Sequence, residues 1–389
     1  MAVFHGGLER ARELVRDRFG HAGLRVHQLK VLGPLLAEHS VLAVLPTGAG
    51  KSLCYQLPAL MADGLTLVIS PLIALMQDQV GALRRRGLPA AYVSSLLTPD
   101  ERRAVLAATC AGHVRLLYCA PERLAALVPR LRAARVRVSL LAVDEAHCVV
   151  EWGNEFRPVY RRLGQYRYQL GNPVTLAVTG SATPDTRAEI VGVLRMPDAH
   201  VVVTSFDRPN LVFMVERMRD DRERFARVRQ LVRHAVGHTV LYVPTRRLAE
   251  LVARALLRAG VRAAPYHAGL LPETRRQLLV DFLHDRVPVV VATSAFGMGI
   301  DKPDVRRVIH WGPPHSLEAY YQEAGRAGRD GARARCVVLW TPGDFEWGVC
   351  DPAMRRYVEA SRCRRRMLLQ YFGETGVRCS GCDRCGVPD

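Results

Sequence analysis

The residues with the most evident chemistry are Leu45-Pro-Thr-Gly-Ala-Gly-Lys-Ser52 and Asp144-Glu-Ala-His147. In the first segment Thr47, Gly48 and Gly50 build a loop whose backbone N–H groups can close around phosphate oxygens. Lys51 can reach the β/γ phosphates and Ser52 can ligate Mg²⁺. A strict phosphate-loop pattern carries glycine where this chain has Leu45, and a glycine turn before a helix is as often only a turn. In the second segment Asp144 can hold Mg²⁺ through its water shell, and Glu145 can orient or deprotonate an attacking water. An acidic pair after a strand is by itself more often a solvated turn. Both motifs in one chain, in this order, point to nucleotide hydrolysis.

Each motif follows a short apolar run, Ser40–Leu45 and Ser139–Val143, that reads as a buried strand. Similar runs fall at 41–45, 66–70, 115–119, 139–143 and 174–178, then at 239–243, 288–292, 305–310 and 335–340, with helical stretches between them. That alternation predicts parallel sheets covered by helices. The series restarts near Ser205-Phe-Asp-Arg-Pro-Asn210, which predicts one domain over 1–205, a second over 206–345 and a small module over 346–389. A chain of 389 residues exceeds one ordinary core. No apolar run approaches a membrane span, and Met1–Arg10 lacks the basic-then-apolar order of a secretory signal. The expectation is a soluble, monomeric, cytoplasmic protein without a membrane partner, nucleoid-associated if bacterial.

The net charge is +18. That suits a polyanionic partner, yet Lys30, Lys51 and Lys302 are the only lysines among 55 basic residues. A genome-wide codon bias toward arginine would produce the same skew, so the charge permits nucleic acid without requiring it.

The second half has a signature of its own. Val291–Asp301 reads as a strand entering a glycine-bearing loop in which Gly299 and Asp301 are candidate nucleotide contacts, and Gln322-Glu-Ala-Gly-Arg-Ala-Gly-Arg-Asp-Gly331 follows. Arg326 and Arg329, three apart, would share one face of a helix turn. Guanidinium groups there can bring positive charge to a γ-phosphate, or they are two solvated arginines on a surface helix. Six of the ten cysteines are scattered singly through apolar segments and read as buried thiols. The other four, Cys363, Cys379, Cys382 and Cys385, have spacings that can close a tetrahedral zinc site; the alternative is a redox-active or disulfide-bonded pair. Such a zinc would be structural, with no open ligand position.

Taken together, these stretches resemble the RecQ family of superfamily 2 DNA helicases, from about residue 19 to 385. The resemblance runs through Phe19-Gly20 with Arg25 and Gln28, Thr47–Ser52, Ser70–Gln79, Ala120–Arg123, Asp144–His147, Ser181–Thr183, Phe206–Asn210, Tyr266–Gly269 and the two segments of the second half. It implies two tandem RecA-like parallel-sheet domains plus a small zinc-binding helical subdomain, with ATP, Mg²⁺ and Zn²⁺ as cofactors. It further implies ATP bound between the domains, adenine selected by Gln28 beside Arg25, a γ-phosphate or water positioned by Gln322, and Arg329 as the arginine finger. Trp152-Gly-Asn-Glu-Phe-Arg-Pro158 resembles the family's aromatic-rich loop, in which Trp152 and Phe156 would stack on bases while Arg157 meets a phosphate. Packing of both aromatics into the core is the competing reading. Ser181, Thr183 and His267 complete the candidate DNA side. The chain departs from the family at Val150, Glu151 and Asn154, where Ser, Gln and His are familiar, and at Val26-His27, where Pro-Gly is usual.

The implied activity is ATP-driven 3′-to-5′ translocation on single-stranded DNA with unwinding of tailed or forked duplexes, in repair and recombination. The sequence stops four residues after Cys385. Many relatives continue into a winged-helix domain that often supplies a duplex-splitting hairpin. A DNA-stimulated translocase that remodels or anneals nucleic acid without efficient unwinding is therefore the alternative, and a backbone track would also accept RNA.

Overall fold

The computed structural model describes residues 3–46, 48–151, 158–233, 236–296, 302–346 and 350–386. The chain divides into two compact units, Met1–Ser205 and Phe206–Asp389.

The first unit is built on β1 (Val41–Val44), β2 (Leu65–Ile69), β3 (Ala90–Val93), β4 (Leu116–Cys119), β5 (Val138–Val143), β6 (Val174–Thr179) and β7 (His200–Val203). They form one parallel sheet in the order β3-β4-β2-β5-β6-β1-β7. Its core buries Val41 and Ala43 with Leu32 and Leu35 of helix Val26–Leu36 and with Tyr55 and Leu57 of helix Leu53–Met61. Val44 lies opposite Thr179, and Val143 opposite Ala177. Both motif-bearing strands therefore end at the same edge of the sheet, the carboxyl edge where open α/β sheets bind ligands.

The second unit carries β8 (Leu211–Arg217), β9 (His238–Tyr242), β10 (Ala263–Tyr266), β11 (Val289–Ala292), β12 (Val305–His310) and β13 (Ala334–Trp340). These also form a parallel sheet, in the order β10-β11-β9-β12-β13-β8. The two tandem parallel-sheet domains are as expected.

Every strand expected from an apolar run is an interior strand, whereas β3, β7, β8 and β10, which the runs did not mark, are the four sheet edges. An interior strand is buried on both faces and reads as continuous Val/Ile/Leu. An edge is released from that demand. β7 leaves Val201 half exposed, and β10 contains Pro265, whose missing N–H is tolerated at an edge.

Among the described residues no helix is long and apolar enough to cross a membrane.

Candidate nucleotide site and zinc module

Leu45, the departure from the strict phosphate-loop pattern, is fully buried and donates its N–H to Thr179 O at 2.9 Å. It extends β1 by one residue into the core, so the loop begins only after it. Gly48 and Gly50 both have positive φ, 82° and 75°, a backbone that glycine adopts without the Cβ penalty. The loop leads into helix Leu53–Met61 with Ser52 at its N-cap.

The carbonyls of this loop are gripped from outside. Arg25 Nη1 donates to Gly48 O at 2.7 Å, His27 Nε2 to Ala49 O at 2.7 Å, and Gln28 Nε2 to Ala49 O and Gly50 O at 3.3 and 3.2 Å. Gln28 Oε1 accepts from Arg25 N at 2.8 Å. The structure thus puts Gln28 to a use the sequence did not suggest. The side chain is buried, and both ends of its amide are spent on backbone. Reading adenine with it requires these bonds to exchange.

Asp144 and Glu145 follow β5. Asp144 is nearly fully buried; its Oδ1 accepts from Glu145 N at 3.0 Å and its Oδ2 from Tyr55 Oη at 3.3 Å. Burial, then the neighbouring Glu145 carboxylate, raise its pKa to about 6, against the opposing pull of Lys51. A buried carboxylate held high beside a lysine suits a cation ligand. Glu145 adopts a left-handed backbone, φ 49°, a strained state for a non-glycine residue that clusters at functional sites.

From Glu145 a path leads to the end of β6. His147 Nδ1 lies 3.4 Å from Glu145 Oε2 and 2.9 Å from Thr179 Oγ1. Thr179 donates its hydroxyl proton to Ser181 O at 3.0 Å. The hydroxyl oxygen must then accept from His147, which fixes the Nδ1–H tautomer. The carboxylate that would face water is therefore linked through His147 and Thr179 to Ser181. Thr179 was not legible as a site residue, since nothing in the sequence separates it from other strand threonines.

In the second unit Gln322 is half-buried near the carboxyl end of helix Leu317–Ala324. The helix stops at Ala324, so Arg326 and Arg329 sit on successive turns beyond it and do not share a helical face. Within the turn Gly328 is required as glycine: its φ is 55°, and a Cβ there would lie 2.4 Å from Asn210 Nδ2. The turn is held by its carbonyls. Arg208 donates to Gly325, Ala327 and Gly328 O at 3.3, 3.0 and 2.9 Å, and Asn210 Nδ2 to Gly328 and Ala332 O at 2.8 and 2.9 Å. Tyr242, at the end of β9, donates its hydroxyl to Phe296 O at 2.7 Å, and the positive charge of Arg326 pulls its pKa down against the rise that burial imposes. The Phe206–Asn210 motif thus positions the arginine turn.

Cys363, Cys379, Cys382 and Cys385 converge, with all four sulfurs within 4.8 Å of one another and Cys363 and Cys382 3.9 Å apart. A tetrahedron of sulfurs at about 2.3 Å from a zinc has edges of about 3.8 Å, so the set fits Zn²⁺ and is far too open for disulfides of about 2.05 Å. Burial raises the Cys382 thiol, but backbone bonds from Arg384, Arg364 and Cys385 outweigh it and bring the pKa down to about 7, whereas burial raises Cys379 and the contact with Cys363 raises Cys385, so Cys382 is the thiol that ionises first. The module is fastened to β8 and the residues before it. Arg364 and Arg365 are fully buried; Arg364 pairs with Asp383 at 3.1 Å, while Arg365 pairs with Asp207 and donates to Arg208 O at 2.9 Å. Phe372 stacks on Phe206 with centroids 4.6 Å apart. A second cluster, His238, Asp285 and Asp304, has Lys302 Nζ 2.6 and 3.1 Å from its carboxylates, so a side chain already supplies the cation.

Three family models match the chain: DEAD/DEAH box helicase over residues 25–191, helicase conserved C-terminal domain over 223–331, and RecQ zinc-binding over 352–386. The ATP-dependent DNA helicase RecQ of Synechocystis is 42% identical over 84% of this chain and 70% of its own length. The chain belongs to the RecQ family. The RecQ of Pasteurella multocida is 38% identical over 97% of this chain and 62% of its own, so the chain spans about three fifths of that relative. Among solved structures, that of Mycobacterium smegmatis helicase Lhr bound to ssDNA and AMP-PNP shares the fold, with a TM-score of 0.67 and 24% identity over 84% of this chain and 47% of that one.

Within this RecQ-family fold the expected DNA side needs correction. Ser181 is fully buried and His267 nearly so, which leaves neither a surface for a strand. His267 Nε2 instead lies 3.4 Å from Glu250 Oε1. Thr183 caps helix Pro184–Val193, its hydroxyl accepting from Thr186 N at 3.2 Å. Thr47, Trp152, Phe156, Arg157, Gly299 and Asp301 lie outside the described residues.

Proposed function

We propose that this RecQ-family chain is an ATP-dependent DNA helicase that couples hydrolysis to 3′-to-5′ translocation on single-stranded DNA and separates tailed or forked duplexes in repair and recombination. The observation that carries the reading is the linked path from Glu145 through His147 and Thr179 to Ser181, beside a loop shaped for phosphate. A hydrolytic carboxylate linked to the residues that leave the carboxyl end of the neighbouring strand can report nucleotide state, which a simple hydrolase does not need.

In this reading Lys51, Ser52 and the amides of the loop hold the phosphates, Asp144 holds Mg²⁺ and Glu145 activates water. Gln322, Arg326 and Arg329 of the second unit act on the γ-phosphate, so turnover requires both units. ATP and Mg²⁺ are the cofactors, while zinc holds the four-cysteine module together. Ser181 acts beneath the surface as a link and Thr183 as a helix cap, while Trp152, Phe156 and Arg157 make the DNA contact that stimulates hydrolysis. Binding along the DNA backbone weakens with salt and shows little sequence preference.

The test is ATP-dependent separation of a 3′-tailed DNA duplex, with ATP consumption measured in the same tube and Lys51→Ala as control. Separation and turnover both lost in Lys51→Ala, with DNA binding kept within a few fold, is the expected outcome. DNA-stimulated turnover without separation would replace the reading with a translocase that does not unwind, and turnover retained in Lys51→Ala would remove the phosphate loop.

A further inference from the structure

His27 stands one residue before Gln28 at the start of helix Val26–Leu36, where the family pattern carries glycine. Its Nε2 is 2.7 Å from Ala49 O, shorter than the 3.3 Å bond from Gln28 to the same oxygen. A carbonyl only accepts, so Nε2 bears the proton and the imidazole is the donor.

The consequence follows from the planarity of the peptide. In a trans peptide the N–H of one residue points opposite to the carbonyl of the residue before it. His27 and Gln28 hold Ala49 O, and Gln28 with Leu53 N holds Gly50 O. The N–H groups of Gly50 and Lys51 are thereby turned to the opposite side of the loop. Among the described residues neither N–H has an acceptor, whereas the N–H of Ala49 is spent on Pro46 O at 3.1 Å. The Gly50 and Lys51 amides, facing away from the clamp and without an acceptor among the described residues, are a pair of donors free for phosphate oxygens.

We propose that His27 is a positioning residue of the phosphate loop: by holding Ala49 O it pre-aims the Gly50 amide, and with it Lys51 N–H, at the phosphates of the bound nucleotide. This rests on reading residues 45–52 as a phosphate loop. His27 touches no nucleotide itself; it lowers the cost of ordering the loop on binding, and the saving appears in affinity.

The experiment uses the full chain and measures binding of a fluorescent ATP analogue, together with KM and kcat for ATP at saturating single-stranded DNA. His27→Ala and His27→Gly weaken nucleotide binding by about 3- to 10-fold, the range of one net hydrogen bond. The loss falls on KM, with kcat changing less than about 2-fold. His27→Gln, whose amide nitrogen reaches a similar position, restores the affinity. Unchanged affinity in His27→Ala overturns the proposal, as does a loss that His27→Gln does not rescue or that follows a fall in melting temperature. Lys51→Ala separates the two readings. Should it bind nucleotide like the parent chain, the phosphate loop is misassigned; should it weaken binding while His27→Ala does not, only the role of His27 falls.

Discussion

Asp144→Asn should make the nucleotide-free protein more stable while abolishing its chemistry. Burial and the adjacent Glu145 lift the Asp144 carboxyl from 3.8 to about 6. The folded state therefore binds this proton more tightly than the unfolded chain does, and the group's contribution is lost as pH rises through that window. At pH 8 the carboxylate is ionised in both states, and holding it folded costs on the order of 3 kcal/mol. At pH 5 proton uptake by the folded state already recovers roughly half of that. Asparagine carries no charge to bury. It keeps the bond from Glu145 N through its oxygen and can donate to Tyr55 Oη, reversing the 3.3 Å contact. Urea unfolding without Mg²⁺ or nucleotide, with hydrogen exchange of the β5 amides assigning the transition to the first unit, should show stabilisation of on the order of 3 kcal/mol at pH 8 and about half as much at pH 5. Equal stability at pH 8, or the same increment at both pH values, would refute the argument that the site stores desolvation energy for a cation to release.

Arg208→Ala removes donors from three carbonyls of the turn bearing Arg326 and Arg329; kcat should fall at least about 10-fold with nucleotide affinity held, consistent with one or two lost net bonds, and steady-state kinetics that move only KM would sink it. Metal analysis should find about one zinc per chain, and Cys379→Ser should lose both the metal and the cooperative melting of the second unit; a metal-free chain that melts normally would overturn the zinc assignment. Trp152→Ala should reduce DNA stimulation of ATP turnover more than basal turnover, since stacking is worth about 1–3 kcal/mol per base; an equal loss of both would favour a core role for the indole.

The chemistry was legible where it is written in contiguous stretches. Gly48, Gly50, Lys51 and Ser52, the Asp144-Glu145 pair and the four cysteines declare themselves because a phosphate loop, a metal-binding acidic pair and a thiolate knuckle each need fixed residue types at fixed short spacings. The interior strands were legible for a related reason: burial on both faces writes itself as an unbroken apolar run. What joins distant segments was not. Arg208 reaches carbonyls more than a hundred residues away, and Arg25, His27 and Gln28 reach a loop about twenty residues on. A side chain's partner in such a pair leaves no periodic trace. Burial likewise decided that Ser181 and His267 lie beneath the surface, although their motifs read as strand contacts. Residue identity and local spacing determined which reactions this chain can run; only the packing of one element on another decided which side chains hold the reacting groups in place, because hydrogen-bond partners are chosen by distance in space and not by distance along the chain.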